Sequence, residues 1–166
     1  MEKQRIDDVE NTVQPSAVRR TLTGALGLSD LAINYYELEP GDSFGFAYHC
    51  HGEQEEVFYI RQGTATFETE EGDVEVGPRE AVRFAPGEFQ RGWNRGEERV
   101  VALALGAPQV YESLTMLRDC PACDEQTETR LDRRVEDGQE IAVAFCADCD
   151  TETGRWTKGP TECEVP

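Results

Sequence analysis

Apolar residues recur along this chain in short runs, several of them alternating with polar ones, and clusters of turn-forming residues separate the runs at close, even intervals. Residues 31–38, 44–51, 57–60, 64–69, 81–84 and 100–105 are runs of this kind, and each reads as a strand. Between them fall Glu39-Pro40-Gly41-Asp42, Arg61-Gln62-Gly63, Glu70-Glu71-Gly72-Asp73, Gly77-Pro78 and Asn94-Arg95-Gly96, the residue types that carry turns. Many short strands so spaced predict a mainly β sandwich or barrel over residues 18–112. Residues 1–17 are polar and Pro15 argues against a continuous helix, so a frayed or loosely attached N-terminal arm is expected. Past Ala107-Pro108, residues 111–117 fit a strand or a short helix equally well. A further β-prone run at 141–145, with Asp137-Gly138 as a hairpin turn ahead of it, predicts a second, small module over residues 113–166.

Charge narrows the setting. Acidic residues outnumber basic ones 34 to 16, for a formal net charge of −18, and only Lys3 and Lys158 are lysines. Such a surface suits either an acidic protein kept soluble by repulsion or a cytoplasm of high salt that screens the repulsion; the spread of acid over the whole length favours the second. Nucleic acid is an unwelcome partner, with Arg130, Arg133 and Arg134 the local exception. No stretch reaches the roughly 20 apolar residues of a membrane span, and the N-terminal MEKQRIDDVEN lacks the apolar core of a signal peptide. A cytoplasmic protein is expected.

Four of the six cysteines form two pairs, Cys120 with Cys123 and Cys146 with Cys149, in LRDCPACDEQ and AFCADCDTE. Two Cys-x-x-Cys pairs in a reducing compartment point to metal ligands ahead of disulfides or a redox pair. Four thiolates enclose a tetrahedral Zn(II) completely and leave no open position for chemistry. A structural zinc is therefore expected, in a module that looks like a zinc ribbon and needs the metal to fold. Cys50 and Cys163 belong to neither pair.

Both histidines of the chain lie in one motif, PGDSFGFAYHCHGEQEEVFYIRQG, residues 40–63. With residues 44–51 read as a strand, Gly45, Ala47, His49 and His51 share one face, and Phe44, Phe46, Tyr48 and Cys50 the other. Gly and Ala leave room in front of the two rings. Glu56 opens the next run, where a hairpin partner would bring its carboxylate toward them. Two imidazoles and one carboxylate suit Fe(II), Mn, Ni, Cu or Zn. A phosphate-binding glycine loop, a nucleophile elbow and a helix-borne metalloprotease motif are all missing from the sequence.

The spacing of His49, His51, Glu56 and Gly63, with Pro40-Gly41 ahead of them, resembles the first motif of the cupins. Pro86-Gly87 running to Asn94 looks like their second motif, with Gln90 at the position of its ligand histidine. The resemblance covers roughly residues 20–110. It implies a double-stranded β-helix, or jelly-roll, barrel and a divalent transition metal held by His49, His51 and Glu56. Gln90 would be a weak neutral fourth ligand and Asn94 a ligand-orienting donor. For function it implies a metal-dependent oxygenase, isomerase or lyase acting on a small oxygen-rich molecule, with no catalytic residue identifiable. The rival is a non-catalytic small-molecule sensor whose zinc ribbon docks a partner protein. A homodimer through the barrel is expected. Arg83 and Arg91 either sit at the pocket mouth to hold a carboxylate or are ordinary surface arginines.

Overall fold

The structure, a computed structural model, describes residues 1–110 and 113–157, so Cys163 lies outside the described residues, as do Tyr111 and Glu112. After a single 3-10 turn (Ile6–Asp8), the described chain runs β1 (Val18–Thr21), α1 (Leu22–Ala25), β2 (Ala32–Leu38), β3 (Tyr48–His51), β4 (Glu55–Gln62), β5 (Ala65–Thr69) and β6 (Gly72–Val76). It continues through β7 (Ala81–Phe84), β8 (Gln90–Trp93), β9 (Val100–Ala107), β10 (Leu114–Cys120), β11 (Glu125–Glu136), β12 (Gln139–Cys146) and β13 (Glu152–Thr157). The strands form a five-stranded sheet, β1-β2-β9-β4-β7, and an eight-stranded sheet, β13-β12-β11-β10-β3-β8-β5-β6. This is the mainly β architecture that the alternating runs predict and the jelly-roll that the cupin resemblance implies.

The two sheets close over one aromatic core. Leu38, Ile60 and Val100 of the first sheet and Phe67 of the second are all completely buried. Phe44 stacks on Phe67 with centroids 5.7 Å apart and planes 8° apart, and Phe58 tilts against Phe67 at 4.9 Å. Truncating so enclosed a ring costs about 3–5 kcal/mol. Gly63, the glycine of the first motif, turns the chain out of β4 with φ +71°, and a Cβ there would lie 2.6 Å from the Arg99 carbonyl oxygen. Only glycine fits both constraints.

Sheet hydrogen bonding runs across the boundary expected at residues 112 and 113. Of the stretch that fitted strand or helix, residues 114–117 are strand: β10 pairs antiparallel with β3, Met116 opposite His49 and Leu114 opposite His51. A second core then joins the modules: Phe46 meets Trp156 edge-on at 4.9 Å, with Val13, Ala142 and Ala144 buried around them. Arg118, itself buried, donates through Nε to the Thr153 carbonyl at 3.0 Å and through Nη1 to that of Phe46. The β11–β12 hairpin turns through Asp137-Gly138, both at positive φ, as the sequence predicts.

Two expectations need correcting. Residues 13–16 are not a frayed arm, because Val13, Gln14 and Ser16 are buried. Ala17 N–H donates to Asp42 at 2.8 Å and Ser43 N–H to the Pro15 carbonyl at 3.2 Å, so backbone bonding offsets the polar composition. The strand expected over residues 44–51 is regular only from Tyr48. Phe44 sits in the barrel core and Phe46 in the second one, and the chain bends between them instead of alternating.

Candidate metal centres and cavity

Three neighbouring strands bring the first donor set together. His49 and His51 project from β3, Glu56 from β4, and Gln90 is the register partner of His49 on β8. His49 Nε2 lies 3.7 Å and His51 Nε2 3.4 Å from the same carboxylate oxygen, Glu56 Oε2. One ligand atom from each residue falls within 4.8 Å of the others, and the 3.4 and 3.7 Å separations from Glu56 lie inside the limit of about 4.2 Å for two donors each about 2.1 Å from a shared cation. His49 Nδ1 is 3.0 Å from the Ala47 carbonyl oxygen. A carbonyl only accepts, so Nδ1 carries a proton and donates it there, which turns Nε2 toward the cluster. Gly45 helps: a Cβ there would lie 3.3 Å from the His49 ring. The Pro86-Gly87 turn is tied to the same strand, Gly87 N–H donating to the His51 carbonyl at 2.8 Å.

Burial pushes the Glu56 carboxyl upward, but hydrogen bonds and charge from His49 and His51 outweigh it and hold the group at about 2. Gln90, 1% exposed, turns its amide NH2 into the cluster, donating to Glu56 Oε2 at 3.0 Å and contacting His49 Nε2 at 3.2 Å. The amide protons thus stand against two of the atoms that would ligate a cation. Gln90 Oε1, by contrast, is buried with no hydrogen-bond partner. Rotating the amide by half a turn would aim that oxygen at the cluster.

The donor set opens on a cavity of about 560 Å³ between the sheets, within the range of small-molecule pockets. Tyr36, Phe44, Phe58 and Met116 supply apolar wall, and Asn34 and Gln54 polar wall. Asn94 is not in that wall. Its Nδ2 donates to the Leu38 and Glu98 carbonyls at 3.0 and 2.8 Å and its Oδ1 accepts from Gly96 N–H at 3.1 Å, so the side chain clamps a turn and has nothing left to orient a ligand. Arg83 pairs with Glu55 at 2.6 Å. Arg91 lies on the other face of β8, over the Trp93 ring at 3.9 Å. Neither lines the cavity. The arginines that do, Arg19 and Arg133, together with Gln14, were not singled out as pocket residues by any motif.

The second donor set is the four cysteines. Cys120 Sγ and Cys123 Sγ each lie 3.5 Å from Cys149 Sγ, and Cys123 Sγ lies 3.9 Å from Cys146 Sγ. A tetrahedron with Zn–S bonds of about 2.3 Å has edges of about 3.8 Å. No disulfide links them. The two knuckles repeat each other: Asp124 N–H bonds to the Cys120 carbonyl at 2.9 Å, Asp150 N–H to that of Cys146 at 3.1 Å, and both aspartates have φ of 58°. The Thr127 hydroxyl, 3.2 Å from Cys146 Sγ, helps draw that thiol down to about 6. Cys50 stays outside both clusters, opposite Thr115 in the β3–β10 ladder.

Among the described residues no helix is long and apolar enough to cross a membrane. A family model described as a cupin domain matches residues 34–106. No curated protein matches the chain. The fold is similar to that of a sugar phosphate isomerase from a cupin superfamily of Silicibacter pomeroyi, at 20% identity over 90% of this chain and 84% of that one, with a TM-score of 0.57. A putative sugar phosphate isomerase from Acidithiobacillus ferrooxidans is similar at 20% identity over 92% and 88% of the two chains, TM-score 0.55. A predicted oxalate decarboxylase from Thermotoga maritima is similar at 20% identity over 63% of this chain and 96% of that one, TM-score 0.54.

Proposed function

We propose, from the match of residues 34–106 to a cupin domain, that the barrel binds one divalent transition metal and a small oxygen-rich molecule, as a metal-dependent oxygenase, isomerase or lyase. The observation that carries the reading is the convergence of His49, His51 and Glu56 within 4.8 Å on the wall of the cavity. His49 Nε2, His51 Nε2 and Glu56 Oε2 would hold the metal, with Gln90 Oε1 as a neutral fourth donor after its amide turns. A divalent cation there supplies Lewis-acid polarisation of a bound oxygen. The chain's own residues do the rest: the Ala47 carbonyl orients the His49 ring, Tyr36 and Phe58 give the cavity apolar wall, and Gln54 and Asn34 offer hydrogen bonds to the ligand. The four cysteines would hold a structural zinc in the ribbon-like module.

A second reading, a ligand-binding module without barrel metal, is favoured by one observation: the Gln90 amide protons already face Glu56 and His49. Titrating Fe(II), Mn(II), Ni(II) and Zn(II) into protein whose cysteine site is zinc-loaded separates the two. Uptake of about one further metal per chain, lost in His49→Ala, supports the metal-dependent reading. No uptake by the wild type supports the other.

A further inference from the structure

The cavity wall reverses the charge balance of the chain. Against 34 acidic and 16 basic residues overall, the wall holds, among the described residues, a single carboxylate, Glu56, and two guanidiniums, Arg19 and Arg133. The carboxylate already faces two imidazoles. Arg19 comes from β1 and Arg133 from β11, 114 positions later in the chain, yet they meet across the buried Gln14. In the amide orientation that satisfies both neighbours, the Gln14 oxygen accepts from Arg19 Nη1 at 2.8 Å and from Arg133 Nη2 at 3.1 Å. Two cations converging on one neutral oxygen repel each other. Burial, then the charge of Arg19, push the Arg133 guanidinium below its ordinary value, and Glu140 only partly restores it.

Several other arginines of this acidic chain are neutralised. Arg83, Arg130, Arg134 and Arg155 each hold a carboxylate at 2.6–2.9 Å. Arg133 reaches Glu140 only at 3.9 Å, and Arg19 forms no ion pair among the described residues. In the sheets, β1 lies three strands from Glu56 on β4, and β11 two strands from His49 and His51 on β3. At about 4.8 Å per strand, the arginines stand about 10–15 Å from the donor set at the backbone. Their side chains reach into the same cavity.

We propose that Arg19 and Arg133, braced by Gln14, form an oxyanion clamp at the end of the cavity away from His49, His51 and Glu56. The ligand is then an elongated small molecule with a carboxylate or phosphate at one end and oxygen donors at the other. This rests on reading the cavity as the ligand pocket, and it makes the C-terminal module part of that pocket, because Arg133 belongs to it. Guanidinium forks match either oxyanion, and two of them favour a charged group strongly over a neutral isostere.

The test is isothermal titration of the full, zinc-loaded chain with inorganic phosphate and, separately, succinate, at constant ionic strength. At least one probe is expected to bind the wild type, about tenfold or more weaker in Arg19→Gln and in Arg133→Gln, and undetectably in the double variant. Arg133→Lys, which keeps the charge and loses the fork, should fall between; it also serves if Arg133→Gln lowers the thermal midpoint. Phosphate alone or succinate alone identifies the head group. His49→Ala should lose metal uptake and keep anion binding, so failure of the metal reading is distinguishable from failure of the clamp. Equal binding of both probes to the wild type and the double variant, or binding of neither to the wild type, overturns the proposal.

Discussion

Two donor clusters in one chain are built to opposite specifications. The four cysteines stand on two near-identical knuckles, with sulfur separations of 3.5–3.9 Å that already outline a tetrahedron. The barrel cluster gathers three donors from two strands, puts a glutamine where a fourth would be, and faces a cavity of about 560 Å³. A closed set of four soft ligands stabilises a fold, whereas an incomplete set beside a pocket leaves coordination positions for a ligand. The difference supports the proposed division, in which the cysteines serve architecture and the barrel cluster serves chemistry or recognition. It does not make the two regions independent, because β10 carries Cys120 at one end and pairs with the histidine strand at the other.

The largest expected effect is at the cysteines. Replacing Cys120 and Cys149 together by serine should remove about one zinc per chain, and binding of structural zinc is itself folding free energy, on the order of 10 kcal/mol in small modules. Limited proteolysis should then cut the knuckles while the β3–β10 pairing persists; unchanged zinc content and proteolytic resistance would break the contrast at its first term. Next comes the shared core. Trp156→Ala should lower stability by about 3–5 kcal/mol and shift one common unfolding transition, whereas two separate transitions, with the barrel unmoved, would mean that the modules are independent after all.

How much of this was legible beforehand follows from how local each feature is. The knuckles were readable because all their ligands sit in two short motifs, and the Asp that closes each turn is there in CPACD and CADCD. His49, His51 and Glu56 were readable for the same reason, lying within eight consecutive residues. Gln90 needed the family resemblance, since nothing in its neighbourhood announces that it faces His49. Arg19, Arg133 and Gln14 were not readable, because their meeting depends on how the outer strands of both sheets approach across the cavity. β6 was missed: Gly72 and Asp73 were read as part of a turn and residues 74–76 were left unassigned, because four of its five residues are exposed and a short edge strand offers only Val74 and Val76 as an apolar alternation. The bend between Phe44 and Phe46 escaped as well, since two phenylalanines at alternate positions look alike whether they enter one core or two.

Smaller effects sharpen the comparison further. Gln90→His adds an imidazole opposite His49 and should tighten first-row metal binding about ten- to a hundredfold, read by competition titration with a chelator. A wild type without barrel metal and a variant that gains one would move the barrel to metal-free ligand binding. The smallest effect concerns the surface. With a formal charge of −18, the thermal midpoint should rise from dilute buffer to molar KCl as screening relieves repulsion, and a flat profile would remove the argument for a salt-adapted protein.

The most direct test of the division of labour is elemental analysis of the purified full chain, compared with His49→Ala and with the Cys120→Ser, Cys149→Ser pair. The account predicts about two metals per wild-type chain after loading, zinc at one site and a transition metal at the other. His49→Ala should keep the zinc and lose the second metal, while the cysteine variant should keep the second metal and lose the zinc. A single zinc in the wild type, unaffected by His49→Ala and abolished by the cysteine substitutions, would contradict a metal centre in the barrel.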